Sequence, residues 1–399
     1  MFTILLVIIY ISFISLGLPD SLLGSAWQSM YAGLHVPVSY AGIISMIIAG
    51  GTIVSSLLSN RLIKKLGTGT VTAVSVCMTA AALLGFSISN SFLMLCLWAI
   101  PYGLGAGSVD TALNNFVALH YKARHMSWLH CFWGIGASLG PYIMGAYLTR
   151  GLTWNSGYRT IGVFQMVLTA ILIFSLPLWK KSSSSSEEKE ELHKSLKMKE
   201  LLRIPGAKSA LTAFFGYCAL EATTGLWGSS YMVMERGIRA DVAAKWMSLF
   251  YLGITFGRFV SGFLTMKLGD KNMVRIGQGI AVLGIIAFLL PFGNTVLCAG
   301  FLLVGVGCAP IYPSLLHETP DNFGRELSQA IMGMQMACAY IGSTLMPPLF
   351  GIMAEHISIK LYPFYLIVFV LLMVGMVESL NKIKKKSSEC PSDSAASQA

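Results

Sequence analysis

Residues 103–115, GLGAGSVDTALNN, place an aspartate and two asparagines inside a stretch that is otherwise apolar and of membrane-spanning length. Gly103 and Gly107 are four apart, as are Asp110 and Asn114, so on a helix each pair shares a face. One face is bare enough for close packing and the other is polar. A helix ending near His120 puts Asp110 ten residues in, about 15 Å deep and close to a bilayer midplane. A carboxylate there costs several kcal/mol unless it meets water or a partner. Asp110 is therefore read as a site residue, with Asn114 and Asn115 beside it.

Working outward, the rest of the 399 residues has the same character. Hydrophobic residues make up 55%, charged residues 12%, and mean hydropathy is +0.67, which excludes an ordinary water-soluble globular domain. Apolar segments recur along the whole chain between short polar connections, and about 20 residues make one helical crossing. Twelve crossings are expected, an all-α integral membrane protein. The formal net charge of +10 is spread over connections and tails rather than gathered in one domain, so nucleic acid is not expected as a partner. With the first span running inward to outward, Lys and Arg crowd the inner connections and are sparse on the outer ones. That asymmetry predicts a plasma-membrane protein with both termini cytoplasmic.

The eight cysteines show no CxxC pair, and seven fall in apolar spans; no disulfide framework, metal site or cofactor is expected. The amino end lacks a basic n-region and is read as a retained first helix. That helix is interrupted at Gly17-Leu18-Pro19-Asp20, where proline frees backbone groups and Asp20 follows the break. Broken helices often line transporter cavities. Span five, from His130 to Pro141, brings His130 and Trp133 onto one face with several glycines. Span seven carries Glu221 and Trp227, span eight Arg258, and span eleven Gln335. Opposite charges within a membrane are usually paired or cavity-facing, which suits Glu221 and Arg258.

Composition divides the chain into four parts. Residues 1–179 form an N-terminal six-helix half, 180–206 a charged, serine-rich cytoplasmic linker, 207–381 a C-terminal six-helix half and 382–399 a basic, serine-rich cytoplasmic tail. One constant register sets Leu66-Gly67 against Leu268-Gly269, Lys65 against Lys267, Gly103 against Gly305 and Gly140 against Gly342. Two pseudo-symmetric halves related by duplication are expected.

Two six-span halves, the GxGxGxxDTALNN stretch and the paired LxxKLG loops together resemble the major facilitator superfamily. More narrowly, 103–115, 130–141 and the segments EATTGLWGSSY and FYLGITFGRFVSGFL resemble its fucose/galactose/glucose–proton symporter branch. The resemblance covers all but the linker and tail. It implies a proton-coupling acid after the glycine-rich segment of span four, here Asp110, and a second in span one, here Asp20. The branch's polar residues of span five fall opposite His130 and Trp133, different types in this chain. The superfamily's inner-loop acid is replaced by Lys64 in one copy and Met266 in the other, while Lys65, Gly67, Lys267 and Gly269 remain as gating or structural residues.

The expectation is a secondary active transporter, not an enzyme, functional as a monomer among membrane lipids. It would import a hexose-like solute with a proton, sodium being the alternative ion. Asp110 and Asp20 would carry coupling; Asn114, Asn115, His130, Trp133, Glu221, Trp227 and Gln335 would contact solute; Arg258 would serve gating or structure. The competing reading on the same scaffold is proton-coupled efflux of a drug or small metabolite.

Overall fold

In the computed structural model the described residues are 2–120, 123–183 and 198–389, and they are helical throughout, with no strand among them. In chain order the helices are α1 (Phe2–Asp20), α2 (Leu22–Met30), α3 (Tyr40–Leu66), α4 (Thr68–Ile88), α5 (Phe92–His120), α6 (Ala123–Thr149) and α7 (Trp154–Ser183). A short α8 (Met198–Leu201) precedes α9 (Ala207–Met234), α10 (Ala240–Leu268), α11 (Asp270–Leu289), α12 (Asn294–Cys308), α13 (Ile311–His317), α14 (Thr319–Phe323), α15 (Arg325–Met353) and α16 (Tyr362–Glu389). The pairs α1–α2 and α12–α13 each make one crossing broken in the middle, so the long helices amount to twelve crossings. Most of the expected linker and the end of the tail, 184–197 and 390–399, lie outside the described residues.

Eight helical stretches are long and apolar enough to cross a membrane by composition alone, the last of them taking in both α15 and α16. Among the described residues α6 and α9 fall short, and the described apolar stretch of α3 ends at Ser56. All three pack across the molecule, α3 on α15, α6 on α10 and α9 on α2. In α6 and α9 small residues that meet protein, such as Gly134 against Thr255, lower the mean hydropathy of the crossing.

Within the first half α1 packs on α6, α3 on α5 and α4 on α7; within the second α9 packs on α15, α10 on α12 and α11 on α16. The duplication is visible at atomic detail. A Cβ placed on Gly103 would lie 2.2 Å from the carbonyl oxygen of Ile48, and one on Gly305 would lie 2.0 Å from that of Phe250. Ile48 and Phe250 stand in the same register as the two glycines. Gly67 and Gly269, which end α3 and α10, adopt matching conformations with positive φ of +81° and +73°. Only glycine takes these angles without strain, so both loops turn tightly with Lys65 and Lys267 exposed on them.

The even number of crossings sets both described chain ends on one side of the bundle, here termed the terminal end. Contacts between the halves gather toward the opposite, far end. There Gly24 of α2 lies against the backbone of Gly225 and Leu226, and Gly42 of α3 against Pro348. Gly145 of α6 lies against Asp241 and Lys245. Thr149 Oγ1 donates to Asp241 Oδ2 at 3.0 Å across the same seam, and Arg239 holds that carboxylate from its own side.

The glycine contacts give a direct test. Gly305→Ala forces a methyl into the Phe250 backbone and should cost about 1–3 kcal/mol by overpacking, lowering the detergent-solubilised melting temperature. Gly50→Ala, where a Cβ meets nothing within 4 Å, should leave it unchanged or slightly raised.

Candidate functional site

The break in the first crossing positions the first site residue. Pro19 sits in the last turn of α1, Ser21 interrupts the helix, and Asp20 between them is turned toward the centre of the first half. Asp20 is exposed although its partners come from helices deep in the bundle, so the surface it shows is an internal one. Trp133 Nε1 of α6 donates to Asp20 Oδ2 at 2.8 Å. The Tyr102 hydroxyl of α5 donates to Asp20 Oδ1 at 3.3 Å.

Close helix packing puts the indole there. A Cβ on Gly17 would lie 2.1 Å from Trp133 O, so α1 runs directly against the backbone that carries this residue. On the other side Gly134 lets α6 approach Thr255 of α10 to within a clash distance for any side chain. That approach brings Arg258, one turn along α10, beside Trp133. The Arg258 guanidinium carbon lies 5.5 Å from the centroid of the indole, within cation–π range. Arg258 Nη2 also stands 3.8 Å from Glu221 Oε1 of α9. The expected opposite-charge pair thus exists, and a continuous chain Tyr102–Asp20–Trp133–Arg258–Glu221 connects the halves.

Asp110 forms a second cluster on α5, within electrostatic range of Asp20. Asn114 Nδ2 donates to Asp110 Oδ1 at 2.9 Å and to the Asp110 carbonyl at 3.0 Å, so the four-residue spacing does bring the pair together. Asn114 Oδ1 is buried and has no partner among the described residues. The side chain of Asn115 lies outside the described residues. His130 is half-buried one turn from Trp133, with its ring edge-on to Phe13 at 6.0 Å.

Two expected wall residues are placed away from this cluster. Trp227 has no exposed surface; its Nε1 donates to the carbonyl of Pro347 at 2.7 Å, and it packs against Phe350. Gln335 is 1% exposed and its Oε1 accepts from Thr319 Oγ1 at 3.1 Å. Both satisfy polar groups inside the second half, where a proline-interrupted α15 and the α14 turn leave backbone and hydroxyl groups needing partners. Tyr102, absent from the sequence-based set, joins the site instead. The available signal was a phenol within an apolar span next to Pro101, because a buried tyrosine hydroxyl usually finds a partner.

Paired charges, hydrogen-bonding edges and aromatic faces at mid-depth, reached from both halves of a twelve-crossing bundle, define a membrane transporter rather than an enzyme. A sequence profile of the Major Facilitator Superfamily matches residues 9–244 and 209–383, and the chain belongs to that superfamily. It is 24% identical over 390 residues to the "Bypass of stop codon protein 6" of Saccharomyces cerevisiae, covering 88% of this chain and 77% of that one. It is 19% identical over 381 residues to the glucose/mannose transporter GlcP of Bacillus subtilis, with 94% of each covered. Among solved structures, the nucleoside transporter NupG superposes with a TM-score of 0.74 at 14% identity, over 96% of this chain and 99% of that one.

The contrast between the two tryptophans is measurable. Trp227→Phe keeps an aromatic ring but loses the buried hydrogen bond to Pro347 O, and should cost about 1–3 kcal/mol of stability. Its apparent solute affinity in transport should not change; a shift in affinity without a loss of melting temperature would return Trp227 to the solute site.

Proposed function

We propose that the protein imports a hydroxylated, hexose-like solute together with a proton by alternating access. The observation that carries this reading is the exposed Asp20 carboxylate held in mid-bundle by Trp133 and Tyr102, with Asp110 close by. Carboxylates, an amide and an indole face are what a pyranose needs, since its hydroxyls pair with acceptors and donors while its ring stacks. The GlcP relative, matched over 94% of its length, supports a sugar, although the superfamily's scaffold serves many solutes.

Coupling is assigned to Asp110, with Asp20 as its partner acid. A carboxylate in a poorly solvated site is costly to charge, so a proton that neutralises it removes much of that cost. Asn114, which donates to Asp110, keeps the carboxyl oriented and leaves its own Oδ1 as an acceptor for a protonated acid or a solute hydroxyl. With both termini in the cytoplasm of a plasma-membrane protein, far-end closure corresponds to an inward-facing state. Reorientation then requires the Thr149–Asp241 and glycine contacts of the far end to part while the terminal ends close. The coupling ion is taken as the proton, with sodium as the competing choice.

A second reading has its own observation. Among the described mid-depth groups three acids, Asp20, Asp110 and Glu221, face one arginine, and several aromatic rings surround them. That excess of acid also suits an organic cation exchanged for protons, which would make the protein an exporter.

The assignment of Asp110 is tested in proteoliposomes with Asp110→Asn. Gradient-driven accumulation should fall to the equilibrium ratio, whereas solute exchange across the membrane should persist. Undiminished accumulation would remove Asp110 from the coupling path.

A further inference from the structure

The indole of Trp133 carries two partners at once. Its edge is fixed by donation to Asp20, which leaves the ring a single orientation, and its face is covered by the Arg258 guanidinium at 5.5 Å. That guanidinium is not closed onto its carboxylate. The 3.8 Å separation from Glu221 is about 1 Å longer than a charge-assisted N–H···O contact. Arg258, which also has Tyr217 as a neighbour, therefore stands between the indole face on α6 and the carboxylate on α9 without closing onto the carboxylate. Both charged side chains keep some accessible surface, 16% for Arg258 and 21% for Glu221, so there is room for the guanidinium to move.

We propose that Arg258 occupies the face of Trp133 on which the solute ring stacks, and that the arriving solute drives the guanidinium off the indole onto Glu221. This rests on the solute reading given above and goes beyond it by assigning Arg258 a role in selection. A solute must offer a flat, weakly polar face that outcompetes a cation for the ring, and it must leave the Arg258–Glu221 pair free to close. A pyranose with its axial hydrogens on one side meets the first demand, and its neutrality meets the second. An acyclic polyol meets neither the shape nor the stacking. Because Trp133 belongs to the first half and Arg258 to the second, displacement also exchanges a contact between the halves for one inside the second half. Solute binding would thereby loosen the bundle at mid-depth at the moment the site fills.

The experiment is direct binding of a panel of hexoses and the matching hexitols to the purified full-length protein, by calorimetry in detergent or nanodiscs. Wild type is compared with Arg258→Gln, with the charge-neutral double variant Arg258→Gln/Glu221→Gln, and with both of these in a Trp133→Leu background. A competitor worth about 0.5–2 kcal/mol on the ring corresponds to a roughly 2- to 30-fold affinity change. Removing it should tighten hexose binding by about that factor in both Arg258 variants and widen the preference for hexose over hexitol, and the gain should vanish in the Trp133→Leu background, where no aromatic face remains for either cation or sugar. The double variant guards against an uncompensated Glu221, and its melting curve and monodispersity show that it is folded. Hexose binding that is unchanged or weaker in both variants would overturn the displacement proposal while leaving the solute reading intact. An absence of hexose binding in wild type and every variant would overturn the solute reading, and the displacement with it.

Discussion

A charge in the low-dielectric middle of a membrane protein must have a partner or water, and the architecture around residues 17–20, 133 and 258 follows from that constraint. Asp20 accepts from Trp133 and Tyr102, and Arg258 lies between the Trp133 face and the Glu221 carboxylate, so each of these charged groups has a partner within reach. Meeting the constraint requires four helices, α1, α6, α9 and α10, to run close together at one level. Small residues make that possible: Gly17 and Gly134 bracket Trp133, and neither position accepts a side chain. The polar site and the glycine contacts are thus one requirement seen from two sides.

Duplication supplies the rest of the frame. Gly103 on α5 and Gly305 on α12 carry the same backbone-on-backbone contact in the two halves, and Gly67 and Gly269 make the same turn. The halves then differ where function needs them to. The first contributes Asp20, Asp110 and Trp133, and the second contributes the pair Arg258 and Glu221. An asymmetric site within a symmetric scaffold gives each half something to hold in the other, and a contact that ties two rigid bundles is one that their relative motion must break and remake.

The fold was legible in the sequence because its signals are local: span length, the register of Leu66-Gly67 with Leu268-Gly269, and the Pro19 break that the structure places at Ser21. Part of the site was legible for the same reason. Asp110 and Asn114 are four apart on a helix, and their side chains meet. Glu221 and Arg258 also meet, as opposite charges in adjacent spans must. What sequence could not supply was the choice among partners far apart in the chain. Trp133 and Trp227 look alike as tryptophans in polar-flanked spans, yet one bonds Asp20 and the other caps the Pro347 carbonyl. Gln335, a polar residue in an apolar span, accepts from the Thr319 hydroxyl of a turn that hydropathy alone does not reveal. Tyr102 was hidden because a phenol in an apolar span announces a partner without saying which.

The central claim is that this bundle moves a hydroxylated solute with a proton. Its most direct test is uptake of a labelled sugar panel by sealed proteoliposomes, with and without an imposed inward proton gradient. The account predicts that one hexose or a related group accumulates only with the gradient, is lost when it is collapsed and is competed by its stereoisomers. Absence of sugar uptake, together with proton-driven movement of an organic cation in the opposite direction, would contradict it.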